Sequence, residues 1–171
     1  MDEMDRGHAA GLMRVNHIGE ICAQALYEGQ AFSAQSERAR DSLLEAAQQE
    51  LDHLKWCESR LEELESRSSI LAPFFYASSF CVGALTGLAG DKHSLGFVEA
   101  TEDQVVKHLD EHLEILPESD KRSRAILSQM RKDEERHRQE ALALGGTEFN
   151  QSVKIAMKAV SGVMTKTTYR V

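Results

Sequence analysis

Apolar residues recur three and four positions apart along most of the chain, and no stretch alternates convincingly enough for a strand. The pattern predicts six helices: roughly 11–36, 38–67, from Pro73 to near Gly90, from after Ser94 to before Pro117, from about Ser119–Asp120 to Gly145-Gly146, and 151–166. Ser94 is the natural N-cap candidate for the fourth. The connecting stretches SRSSILAP, GDKHS, PESDK and GGTEFN are short and turn-like. Long helices joined by short loops predict an all-α antiparallel bundle, one domain across residues 1–171.

Two of the apolar stripes contain residues that do not belong in a plain seam. In the second helix Ala47, Leu54, Cys57, Leu61 and Leu64 share a face with Glu50, and His53 lies beside it. In the fifth, Leu127, Met130, Ala141 and Leu144 share a face with Glu134 and His137. Residues three apart on a helix differ by about 60° and about 4.5 Å, so each Glu-x-x-His pair can converge on one point. A buried carboxylate without a partner is costly, and a metal ion between the two side chains offsets that cost. Each pair follows another carboxylate on the preceding helix: Glu20 stands 30 residues before Glu50, and Glu102 stands 32 before Glu134. Two hairpins of the form Glu … Glu-x-x-His supply four carboxylates and two imidazoles, the set for a two-metal site inside a four-helix bundle. Such ligands suit iron or manganese, not a closed thiolate-rich zinc site. Glu45, Glu58, Glu62, Glu63 and Glu65 read as surface positions, and Asp52 as either a surface residue or a support behind the ligands.

Charge and composition add two features outside the seams. Residues 68–90 contain no charged side chain. Pro73 and several Ser, Thr and Gly dilute the stretch, so it reads either as a buried connecting helix or as one that dips into a bilayer. Gly83 and Gly87, four apart, permit close helix packing, with which a homodimer is compatible. The last helix, 151–168, has Val153, Ala156, Met157, Val160, Val163 and Met164 on one face and Lys154, Lys158, Ser161 and Thr165 on the other. It reads either as an ordinary packing helix with a solvated lysine face or as a helix for an anionic membrane surface. The formal net charge is −8, which argues against nucleic acid as a partner. All acidic residues stand at or before Glu148, whereas Lys154, Lys158, Lys166 and Arg170 follow it. Three cysteines without a C-x-x-C imply a reducing compartment, and the charged start MDEMDRGHAA is no signal peptide.

Four segments carry a wider resemblance: RVNHIGE (Arg14–Glu20), QELDH (Gln49–His53), ATEDQVVKHLDEHL (Ala100–Leu113) and KDEERH (Lys132–His137). They resemble the demethoxyubiquinone hydroxylases, di-iron monooxygenases of ubiquinone biosynthesis, and the similarity runs from about His8 to the C-terminal MTKTTYRV. The resemblance implies a ferritin-like bundle with an added apolar helix and a C-terminal amphipathic helix. It implies two iron ions held by Glu20, Glu50, His53, Glu102, Glu134 and His137, with Glu50 and Glu102 as candidates to be shared between them. It also implies demethoxyubiquinol and O2 as substrates, one oxygen atom going into the quinol ring. His108 matches a histidine that family members place near that ring, where some relatives have Tyr in the next position and this chain has Leu109. His17 is expected to orient Glu20. The longer N-terminal segment common in the family has no counterpart before Met1 here. A peripheral membrane protein is expected, on the cytoplasmic face of the inner membrane if bacterial. The rivals are another ferritin-like protein (an iron oxidase, iron store or peroxide reductase) and a metal-free helical membrane scaffold.

Overall fold

A computed structural model describes all of residues 1–171. It contains six α-helices and no strand: α1 (Glu3–Ser33), α2 (Glu37–Glu63), α3 (Ala72–Leu88), α4 (Asp91–Ile115), α5 (Lys121–Ala143) and α6 (Gln151–Thr168). The expected all-α, ferritin-like architecture is present. α1 pairs with α2, α4 pairs with α5, and the two hairpins close on each other through α2 and α5.

Several helix ends differ from the expected ones, each for a local reason. α1 begins eight residues earlier than predicted, because the Asp2 carboxylate accepts the Asp5 backbone N–H and caps it. Its first turns are structural: Ala9 and Ala10 are buried, and a Cβ on Gly11 would lie 2.6 Å from the Tyr169 ring. α2 stops at Glu63, short of Arg67. Glu65 adopts φ 56°, and the Ser66 N–H reaches back to the Leu61 carbonyl at 2.9 Å, a Schellman-type stop. α4 starts at Asp91, so Ser94 is not its cap. Gly90 at φ 105° makes the turn, and Ser94 is buried inside the helix.

The bundle interior is layered. One apolar cluster joins Ala9, Leu12 and Met13 of α1 to Cys57, Leu61, Leu109, Leu127 and Met130. A second joins Ala23, Tyr27 and Ala31 to Leu43, Ala47, Val98 and Ala141. On every one of the four helices the predicted ligand positions fall between the two clusters. Glu20 lies between Met13 and Ala23, and Glu50 and His53 between Ala47 and Cys57. Glu102 lies between Val98 and Leu109, and Glu134 and His137 between Met130 and Ala141. The apolar layers therefore fix the height of a polar layer that could not have assembled alone.

α3 and α6 lie outside this bundle. α3 runs against α1, with its close approach at Gly83, where a Cβ would collide with the Leu26 carbonyl. Only Gly83 and Gly87 of α3 are buried, while Phe74, Val82, Leu85 and Leu88 are exposed, so it is not a buried connecting helix. α6 rests on α1 and α4. Its lysine face is not simply solvated. Lys154 Nζ sits 3.0 Å from the buried Glu99 carboxylate, and Thr168 is fully buried. Val153, Ile155, Val160 and Val163 point outward instead. The far end of α6 is pinned by Arg14, whose guanidinium donates to the Tyr169 carbonyl at 2.8 Å, and by a 2.7 Å bond between the Tyr169 hydroxyl and His8 Nδ1. No helix is long and apolar enough to cross a membrane.

Candidate metal centre

Glu20, Glu50, His53, Glu102, Glu134 and His137 meet in the middle of the bundle, each at most 4% exposed. The ligand atoms of Glu20, Glu50, His53 and Glu134 all lie within 4.8 Å of one another. His53 Nδ1 is 3.0 Å from Glu50 Oε2, 3.0 Å from Glu134 Oε1 and 3.4 Å from Glu20 Oε2. His137 Nδ1 is 3.1 Å from both Glu50 Oε1 and Glu134 Oε2. Each carboxylate of the two Glu-x-x-His pairs thus turns one oxygen to each imidazole.

That geometry corrects one expectation. Glu50 and Glu134, not Glu50 and Glu102, stand between the two histidines. Glu102 is at the His137 end, where its Oε1 accepts a hydrogen bond from the buried Tyr27 hydroxyl. The Tyr27 ring meets His137 edge-on, with centroids 6.4 Å apart.

Both imidazoles are braced from behind, and the braces cross. His137 Nε2 contacts Gln49 Oε1 at 2.7 Å, and His53 Nε2 contacts Asp133 Oδ2 at 3.3 Å. The residue just before each paired glutamate therefore supports the histidine of the other hairpin. Both nitrogens of each ring face acceptors; with a cation on Nδ1, the remaining ring proton would sit on Nε2, donated to these acceptors. Sequence reasoning missed both braces. Their shared position, one residue before Glu50 and Glu134, was the available signal. His17 was expected on Glu20, but its Nε2 contacts Glu58 at 3.4 Å instead. Asp52 is exposed beside Lys55, a surface residue. His108 does not join the cluster. It lies about 9 Å of helix rise beyond Glu102, its ring tilted 55° against that of His112 with centroids 3.9 Å apart, and its Nε2 is buried and unpartnered.

The electrostatics show a site short of positive charge. Glu102 Oε2 is buried with no hydrogen-bond partner, and the buried Glu20 Oε2 and Glu50 Oε1 face only histidine Nδ1 atoms, at 3.4 and 3.1 Å. Burial drives the Glu20 and Glu102 carboxyls well above the usual range, and repulsion from Glu50 and Glu134 adds to it. Burial alone would also raise Glu50, but bonds from His137 and His53 hold it down at about 2. Burial disfavours a charged His137, yet Glu134 and Glu50 raise it to about 10. Four carboxylates around two imidazoles, with Glu102 Oε2 orphaned, fit a pair of hard divalent cations. An apolar crevice of about 20 Å³, lined by Leu43, Ala46, Leu95, Val98 and Ala141, reaches Tyr27 and His137. It has room for a guest the size of one water.

The sequence profile of the ubiquinone biosynthesis protein COQ7 family matches residues 7–168. A protein from Pseudomonas paraeruginosa named 3-demethoxyubiquinol 3-hydroxylase is 57% identical over 171 residues, covering 100% of this chain and 80% of its own length. Proteins of the same name from Ectopseudomonas mendocina (60% over 164 residues; 96% of this chain, 76% of the relative) and Azotobacter vinelandii (57% over 172 residues; 99% and 80%) agree. The chain belongs to the ubiquinone biosynthesis protein COQ7 family.

Proposed function

We propose that this chain is a 3-demethoxyubiquinol 3-hydroxylase whose metal is a pair of iron ions and whose oxidant is O2. The observation that carries the metal reading is the reciprocal placement of Glu50 and Glu134 between His53 and His137. Identity of 56–60% with enzymes of that name, over nearly the whole chain, supports the activity. Glu20 and His53 would hold one iron, Glu102 and His137 the other, and Glu50 and Glu134 both. When bound, the irons supply the electrons and the Lewis acidity that O2 activation needs. The chain does the rest. Gln49 and Asp133 keep Nδ1 of each histidine free to coordinate. The apolar layers on either side exclude water. His108, whose buried Nε2 has no hydrogen-bond partner, is the polar group we assign to the quinol head.

The quinol substrate carries an isoprenoid tail, so the enzyme must meet a bilayer. The outward apolar side chains of α3 and α6, with Lys158 and Lys166 exposed among those of α6, support peripheral association with an anionic membrane. For a bacterial host this is the cytoplasmic face of the inner membrane. A ferritin-like store accounts for the six ligands but leaves those outward faces unexplained. The decisive test is quinone profiling of cells lacking the protein. They should accumulate demethoxyubiquinone, relieved by the wild type and not by His137→Ala; a normal quinone pool would overturn the reading.

A further inference from the structure

The two hairpins contribute the same residue types, but their surroundings differ in three ways that act in one direction. We infer that the two ion positions are unequal: the one beside Glu20 and His53 fills first and holds its ion more tightly, and Tyr27 with Glu102 makes the other the labile one. This rests on the two-metal reading above.

The first difference is assembly. Glu20, Glu50, His53 and Glu134 already present four donor atoms within 4.8 Å of one another, a group that Glu102 does not join. An ion entering on that side finds its ligands in place, with little rearrangement to oppose binding. The second is competition. The Tyr27 hydroxyl occupies Glu102 Oε1, whereas Glu20 Oε2 faces only His53 Nδ1, at 3.4 Å, the atom that would coordinate beside it. To bind fully, Glu102 must share or leave a buried hydrogen bond, and a phenol bonded to a carboxylate lowers that carboxylate's donor strength. The third is the brace. Behind His53 stands the carboxylate of Asp133, which also accepts from Gln129 at 3.0 Å and faces Arg136 at 3.6 Å; behind His137 stands the neutral amide of Gln49, whose oxygen also accepts from Arg136 at 2.9 Å. Both braces are shared, so the difference is their charge: a carboxylate makes the imidazole it accepts from a stronger ligand than a neutral amide does. The shorter Gln49 contact does not reverse this, because charge outweighs a few tenths of an ångström.

The labile position is also the accessible one. Tyr27 and His137 both line the narrow crevice, so a small guest held there lies on the side of the ion whose carboxylate ligand is already half engaged elsewhere. Tyr27 is here a positioning residue. It sets how readily Glu102 opens a coordination place and does not itself need to react.

Anaerobic calorimetric titration of the full-length metal-free chain with Mn2+ tests this without turnover. Wild type should bind in two steps, the first about tenfold or more tighter than the second. Tyr27→Phe should tighten the second step several-fold and leave the first unchanged. Asp133→Asn, an isosteric change at a partly exposed position, should weaken the first step by about tenfold in a chain that stays folded by circular dichroism. Two equal ions in a single step, or a Tyr27→Phe chain that is folded by circular dichroism and shows unchanged steps, would overturn the inference while leaving a two-metal centre intact. No binding at all would instead remove the metal centre itself.

Discussion

The middle of the bundle and its outer helices invert the ordinary rule of burial in opposite senses. Inside, four carboxylates and two imidazoles sit at a depth where Leu and Ala would be the stable choice. Outside, α3 and α6 hold Phe74, Leu85, Leu88, Ile155, Val160 and Val163 in solvent, where Lys and Glu would serve. The inner inversion can be resolved within one chain by cations that the six side chains surround. The outer one needs a surface that is not part of this chain. The comparison separates what the fold requires from what the activity requires. Neither inversion is an arrangement that burial alone would favour in the isolated chain.

Breaking the inner layer should produce the largest effect. Glu50→Ala or Glu134→Ala removes a carboxylate that faces both histidines, so metal analysis should find about two irons per chain falling to near zero, with hydroxylation lost. If the layer exists for metal and not for stability, Glu20→Met should abolish loading yet stabilise the metal-free chain. The expected gain is about 1–3 kcal/mol in chemical denaturation, because a buried carboxylate with only a long contact to His53 is replaced by an apolar side chain of similar size. Destabilisation by Glu20→Met would mean the carboxylate is structural. By contrast, Leu127→Ala, in the apolar layer below, should cost about 2–5 kcal/mol and leave the metal stoichiometry at two.

Protons sharpen the same contrast. Glu20 and Glu102 are raised by burial above the usual carboxylate pKa of 4.5, and His137 is raised from 6.5 to about 10. The metal-free layer therefore retains protons over that window, and an incoming cation must displace them. Apparent metal affinity should rise with pH from about 5 toward 10, with proton release measurable in weakly buffered titrations. An affinity independent of pH would contradict the buried-carboxylate picture.

The outer helices should give the smallest change in stability. Val160→Ser with Val163→Ser alters unfolding by no more than about 0.5 kcal/mol per site, since both side chains are exposed. Binding to anionic vesicles should nonetheless drop several-fold, together with turnover of tailed but not tail-free substrate. Unchanged vesicle binding would favour a second copy of the chain on this face, which size-exclusion chromatography would reveal.

Much of the inner layer was legible in the sequence. A Glu-x-x-His on an apolar stripe, found twice with a carboxylate about thirty residues upstream each time, left few other arrangements. What the pattern could not give was partner identity across helices. Spacing places Glu134 and Glu102 equally near the centre, and only packing makes Glu134 the carboxylate between both histidines. The braces were hidden for the same reason: Gln49 and Asp133 act on the opposite hairpin, and only their shared position before Glu50 and Glu134 hinted at it. His17 reached Glu58 on α2 because that contact depends on how α1 and α2 are rotated against each other. The periodicity of α6 is the same whichever face turns inward. Its lysine-bearing side is drawn in by the buried Glu99, a long-range ion pair invisible in the helix itself.

The central claim, that this buried layer inserts oxygen from O2 into a quinol ring, is tested most directly with heavy-oxygen-labelled O2. Iron-loaded protein in anionic vesicles, supplied with a demethoxyubiquinol and a reductant, should give a product carrying one labelled oxygen atom on the ring, and Glu134→Ala should give none. Label arriving from water, or equal product from Glu134→Ala, would contradict the account.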